Sequence, residues 1–270
     1  MVEDREWDHH RGHALPAEPG KEPLVGEHRQ HGLEPMIQIE PDVAERAQHE
    51  PRPRPWRRRG PCALGWACWK TYVARPETDN IRYMAMNQLG SGLFYAQHHE
   101  DALSVRYAEL SMLRRLGGSE QRILTAKGNI ASTYQELGRY EDSGIMRQEV
   151  YSGKLKLYGK EHRATITEAN NYALSLLDLQ RDAEAKSLLR EMLPVARRVL
   201  GDIDEMTLSM RWMYAAALFR DDNATPDDRR EAVTKLEELE RIARRVLGPA
   251  HPLTKGVERS LRHSRAALSA

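Results

Sequence analysis

The chain has 270 residues with 41 basic and 40 acidic side chains, a net charge of +1, which argues against a whole-protein electrostatic footprint for nucleic acid or an anionic membrane. Its 30% charged and 40% hydrophobic composition, with only two Phe, suits a soluble helical protein rather than an aromatic-rich β-sandwich. Two cysteines, Cys62 and Cys68, cannot staple a secreted scaffold or complete a four-ligand zinc site, so a reducing, cytoplasmic setting is expected. No apolar run reaches the roughly 18 residues of a membrane span, and the acidic N-terminus resembles neither a signal nor a transit peptide.

Residues 1–60 carry 8 of the 14 prolines and 6 of the 11 histidines, and 16 residues of the hydrophobic set. A segment this poor in apolar residues cannot offset about 1–2 kcal/mol of backbone entropy per residue, so it reads as a disordered Pro/His/Arg-rich arm. Its end, Pro51-Arg-Pro-Arg-Pro-Trp-Arg-Arg-Arg59, leans towards polyproline II. It reads as a solvated linker, because the arm's 10 bases are outweighed by 12 acids; the sharper alternative is a nuclear-import or nucleic-acid patch. His9, His10 and His13 offer metal ligands only on a helix, which Gly12 and its polar neighbours oppose. Residues 61–77 open on an apolar stretch, Cys62 to Val73, that reads as a helical cap on the remainder of the chain.

From residue 78 to 268 the chain repeats. Gly118, Gly159, Gly201 and Gly248 each follow an amphipathic run, at separations of 41, 42 and 47. Ala102, Ser143, Ala185 and Ala232 open the second helix of each unit at the same separations. The extra residues of the last unit fall in Asp221–Asp228, read as a lengthened turn, and the residue missing from the first is placed in the loop after Gly118. Each unit reads as helix A, tight turn, helix B. In the second unit A runs from Thr125 to Leu137 and B from Tyr140 to Tyr158. In the third, Ala185, Leu188, Leu189, Met192, Leu193, Ala196, Val199 and Leu200 set an apolar stripe, and Gly201 follows it with the left-handed C′ conformation expected. Gly90, Ala131, Ala173 and Ala215 are small where helices should cross. Residues 253–268 read as a fifth, more polar helix A that keeps the end soluble. The expected product is all-α: a right-handed α-solenoid of antiparallel helix pairs, with about four repeats, a C-terminal capping helix and a disordered N-terminal arm.

The run Asn129-Ile-Ala-Ser-Thr-Tyr-Gln-Glu-Leu-Gly-Arg-Tyr-Glu-Asp-Ser143 resembles a tetratricopeptide helix A, turn and helix B start. The 42-residue spacing and Leu247-Gly-Pro-Ala-His-Pro252 resemble the long variant of kinesin light chains. Departures are Gln97 and Gln180 where the turn glycine is expected, and His162-Arg163 and Asp204-Glu205 in place of His-Pro. No coiled-coil heptads precede the repeats, so the resemblance is to a kinesin-light-chain-like repeat protein rather than to a motor subunit.

The resemblance implies that helix A lines a concave face where an asparagine holds a bound peptide's backbone. That position is Gln88, Asn129, Asn171 and Met213, preceded by Asn87, Gly128, Asn170 and Trp212. A carboxamide both donates and accepts, so a row of them satisfies an extended peptide whatever its side chains. Further along the same face come Ser132, Gln135 and Glu136, then Asp178, then Arg220, with aromatics towards both ends. The lysine and arginine set with which chaperone-binding relatives clamp a terminal carboxylate is not seen. The function expected is a non-enzymatic scaffold that binds a partner's extended peptide segment. The alternative is a regulatory repeat region whose catalytic or nucleotide-binding part lies elsewhere. No phosphate-binding glycine motif is present, and His98-His99-Glu100 falls at a solvent-facing turn. No cofactor, metal or small-molecule substrate is expected, and neither nucleic acid nor membrane as partner.

Overall fold

The computed structural model describes residues 60–269, so the arm expected over 1–60 lies outside the described residues apart from Gly60. Among the described residues the amphipathic runs become ten helices and no strand: α1 Gly60–Tyr72, α2 Asn80–Tyr95, α3 His99–Arg115, α4 Glu120–Glu136, α5 Tyr140–Tyr158, α6 Arg163–Asp178, α7 Asp182–Leu200, α8 Glu205–Arg220, α9 Pro226–Val246 and α10 Pro252–Ser269. Each packs on the next in sequence. The A helices are α2, α4, α6, α8 and α10, and the B helices α3, α5, α7 and α9. Within the apolar stretch ahead of the repeats, α1 buries Cys62, Trp66 and Trp69 against α2. None of the described helices is long and apolar enough to cross a membrane.

Both series of small residues are buried: Gly90, Ala131, Ala173 and Ala215 on the A helices, Ala102, Ser143, Ala185 and Ala232 on the B helices. The Ser143 hydroxyl donates to the Ala131 carbonyl at 3.0 Å, tying the two series together where they cross. Helix α6 also packs on α8, and α8 on α10, while no two B helices share a comparable contact among the described residues. A stack whose A helices approach and whose B helices splay curves around the A side. The A helices therefore line the inner face, and the B helices the outer.

The A-to-B turns explain the two departures from glycine. Gln97, Gly138 and Gln180 share a left-handed backbone, with φ of 62°, 72° and 58°. Around Gly138 its own N–H reaches the Gln135 carbonyl and that of Arg139 reaches Tyr134, the double bond of a Schellman end. The same pair closes α2 (Gln97 to Phe94, His98 to Leu93) and α6 (Gln180 to Leu177, Arg181 to Leu176). Two repeats thus hold a side chain where glycine is unstrained, tolerated because both carbonyls are satisfied.

Four boundaries differ from the sequence expectation. Helix α4 starts at Glu120, not Thr125, because a polar first turn after Ser119 does not break the helix. The left-handed residue after α3 is Gly117, φ +65°, one before Gly118, whose N–H reaches back to the Leu113 carbonyl. Gly201 has φ 102° and ψ 160°, a region reserved for glycine but extended rather than left-handed helical. The long turn is only Asp221–Thr225. Asp227 and Asp228 already belong to α9, whose Thr225 and Asp228 form a reciprocal capping box with Pro226 in the first turn.

Replacing Gln180 by Gly should raise the urea midpoint by the equivalent of about 0.5–1 kcal/mol, and Gly138→Gln should lower it by a similar amount. Equal midpoints for all three proteins would show that these turns carry no backbone strain.

Candidate functional site

The row expected to hold a peptide lies on the A helices. Gln88 is exposed, Asn129 and Asn171 are half-buried, and Met213 is buried. The row of carboxamides thus ends at the third repeat. The Asn129 turn is held from beneath: Arg106 of α3 donates to the Asn129 carbonyl at 2.5 Å and to the Thr133 hydroxyl. Its carboxamide makes no hydrogen bond among the described residues.

Other members of the set are spent on the protein itself. Asn87 donates to Glu109 at 3.0 Å. Ser132 accepts from Arg147 at 2.7 Å. Gln135 of α4 donates to Asp178 of α6 at 3.0 Å, a strut between neighbouring A helices. Arg220 reaches from α8 to the Leu177 carbonyl at 2.9 Å and pairs with Asp182. Trp212 donates to Ser260 of α10 at 2.9 Å and stands against Gly256, so it closes the last A–A seam. The Asn170 carboxamide oxygen is buried without a hydrogen-bond partner among the described residues, and Glu136 is exposed at the end of α4. Burial pushes the Asp178 carboxyl above its ordinary range, against the pull of Arg220 and Gln135.

Two buried polar clusters, one between α2 and α3 and the other between α5 and α6, were missed by sequence reasoning. In the first, burial lowers the Arg106 guanidinium to about 10 and raises the Glu109 carboxyl, which the Asn87 amide and Arg106 pull back down. Glu109 is fully buried, and one of its oxygens makes no hydrogen bond among the described residues. In the second, Glu168 of α6 accepts from Arg147 at 2.9 Å and from Lys154 at 3.0 Å, with Arg147 and Glu168 only 7% and 2% exposed. Arg147 and Glu168 occupy the places of Leu189 and Met210 one repeat later, both wholly buried. That alignment was the available signal, since a charge at a core position stands out only beside its equivalents. The fifth helix A expected over 253–268 is α10, and its exposed Arg259 and His263, not named from the sequence, stand 47 residues beyond Trp212 and Ala216.

This geometry defines the class: an α-solenoid of tetratricopeptide type. Residues 165–204 match the tetratricopeptide repeat family. The solenoid superposes on nearly identical tetratricopeptide-like repeats of a putative kinesin light chain from Podosopora anserina with a TM-score of 0.58, at 18% identity, over 73% of this chain and 89% of that one. BtubC from P. vanneervenii gives 0.52 at 13% identity, over 81% and 94%. Among curated proteins, the clustered mitochondria protein homolog of Candida albicans is 27% identical over 158 residues, 58% of this chain. The matched stretch spans only 11% of that relative's length.

Removing one partner of a buried ion pair strands the other. Glu168→Met should cost about 3–5 kcal/mol by denaturant unfolding, whereas Arg147→Leu/Glu168→Met, which copies the next seam, should recover most of it. A double variant no more stable than the single one would refute that equivalence. Glu109 is protonated more readily folded than unfolded, so its contribution is present at low pH and lost as pH rises above about 4.5, through its folded value. Glu109→Gln should flatten the fall in stability above that pH; parallel curves for variant and parent would rule the carboxyl out as its source.

Proposed function

We propose that the protein is a protein-interaction scaffold, without catalysis of its own, that takes an extended peptide segment of a partner along the inner face. One observation carries this reading. Gln88, Asn129 and Asn171 stand at one position in three successive repeats, and their carboxamides make no hydrogen bond among the described residues, while neighbouring polar groups are engaged. Stacked helices lie about 10 Å apart, and an extended chain covers that in about three residues. One amide per repeat thus meets a peptide backbone at regular intervals. Exposed Met84 and Tyr95 flank the row on α2 and offer apolar anchors beside it. Neither Cys62 nor Cys68 is in a disulfide among the described residues, which is in keeping with a reducing compartment such as the cytoplasm.

A second reading has an observation of its own. The matched stretch occupies 11% of the Candida albicans relative, so repeats of this kind also serve inside a far longer chain. A regulatory repeat region of a larger protein or complex fits that setting, and mapping the full transcript would separate the readings.

Peptides selected from a random display library on the full chain should bind about tenfold more weakly to Asn129→Ala/Asn171→Ala, the equivalent of one or two lost hydrogen bonds. Helicity should be unchanged. Undiminished binding would move the site off the inner face.

A further inference from the structure

The net charge of +1 conceals a separation across the solenoid. One edge is built from the last turn of each B helix, the link after it, and the first turn of the next A helix, with α1 taken as the leading B helix. These segments hold fourteen Lys and Arg against seven Asp and Glu. The opposite edge, the A-to-B turns with the helix turns on either side, holds twelve acids against four bases. Helix dipoles explain only half of this. On the B helices, acids at the start and bases at the end complement the macrodipole. The A helices run the other way, and the same rule would reverse the charges. Instead Arg82, Arg122 and Arg163 lie in the first turns of α2, α4 and α6, and Glu136 and Asp178 end α4 and α6.

The basic edge has an internal pattern. Each repeat ends its B helix on a cation followed by an aliphatic residue: Arg115-Leu116, Lys156-Leu157, Arg198-Val199 and Arg245-Val246, at the repeat separations of 41, 42 and 47. The four aliphatic residues remain 38–44% exposed. Arg115 pairs with Glu77 and Arg198 with Glu161, both exposed pairs that another carboxylate displaces at little cost. Lys156 and Arg245 enter no ion pair among the described residues. The aromatic rings here are not free to stack on bases: Tyr83 lies under Arg122, and Tyr158 stacks on His162. That disfavours single-stranded nucleic acid, which needs open aromatic platforms, and a bilayer interface, where Trp and Tyr dominate.

We infer that this edge docks an acidic, aliphatic-rich protein segment, with its carboxylates on Arg115, Lys156, Arg198 and Arg245 and its apolar side chains on the adjoining Leu and Val. The surface is separate from the inner face and does not depend on peptide binding there. The acidic edge opposite repels the same ligand, so the segment meets only one side of the molecule.

The test titrates the full chain with a fluorescein-labelled peptide of repeated Glu-Glu-Leu units, read by anisotropy. The expected result is binding that weakens steeply from about 50 to about 300 mM salt. It should fall by about tenfold in Lys156→Glu/Arg245→Glu at unchanged helicity, and stay unaltered in Asn129→Ala/Asn171→Ala. A Glu-Glu-Ser peptide should bind less well than the Leu version. The inference is overturned if the parent does not bind, if the charge-reversed variant binds equally, or if the inner-face variant loses binding instead. It is also overturned if phosphatidylserine vesicles or an oligothymidylate bind this edge in preference to the peptide.

Discussion

Each repeat depends on how closely its two helices approach where they cross. Gly90 lies against Val105 and Arg106, Ala131 meets Ser143, Ala173 and Ala185 share one buried cluster, and Ala215 precedes Ala232 across the longer turn; all are buried. A larger side chain at any of them separates the pair and withdraws the apolar stripes from their neighbours. Because the stripes of one repeat are covered only by the next, that local spacing is transmitted along the stack. The inner face inherits its regularity from it. Asn129 and Asn171 each stand two residues before a wholly buried alanine of that series, Ala131 and Ala173.

The parts of the fold legible in the sequence were those set by the nearest neighbours. The period, the small-residue series and helix α5 follow from local pattern and reappear unchanged. Boundaries were less exact where a polar first turn looks like a loop, as at Glu120 and at Asp227 and Asp228. The candidate site was legible as positions but not as availability. Nothing local distinguishes Asn129, with a free carboxamide, from Asn87, whose amide is committed to Glu109 twenty-two residues away. Gln135 and Asp178 were both read as open to a ligand, yet they satisfy each other across forty-three residues. Arg147 stands on the buried face of its helix, between Ser143 and Val150, and the partner that makes a charge tolerable there, Glu168, lies on the following helix.

The repeats are therefore alike in backbone and unlike in chemistry. At equivalent places the second repeat joins the third through Arg147 and Glu168, and the third joins the fourth through Leu189 and Met210. The buried ions specify their partners by hydrogen-bond geometry, which aliphatic side chains do not. They gain little net stability from it, because each charge has been withdrawn from water. The same economy shows at Glu109, where burial and the Asn87 hydrogen bond oppose each other.

In a one-dimensional stack, a break exposes only the interface it opens. Where that interface is aliphatic, opening it is penalised in full by water. Where it is ionic, Arg147, Lys154 and Glu168 recover hydration as they part. Parting α5 from α6 therefore costs less in exposed apolar surface than parting α7 from α8, where Leu189 and Met210 meet water with nothing gained in return.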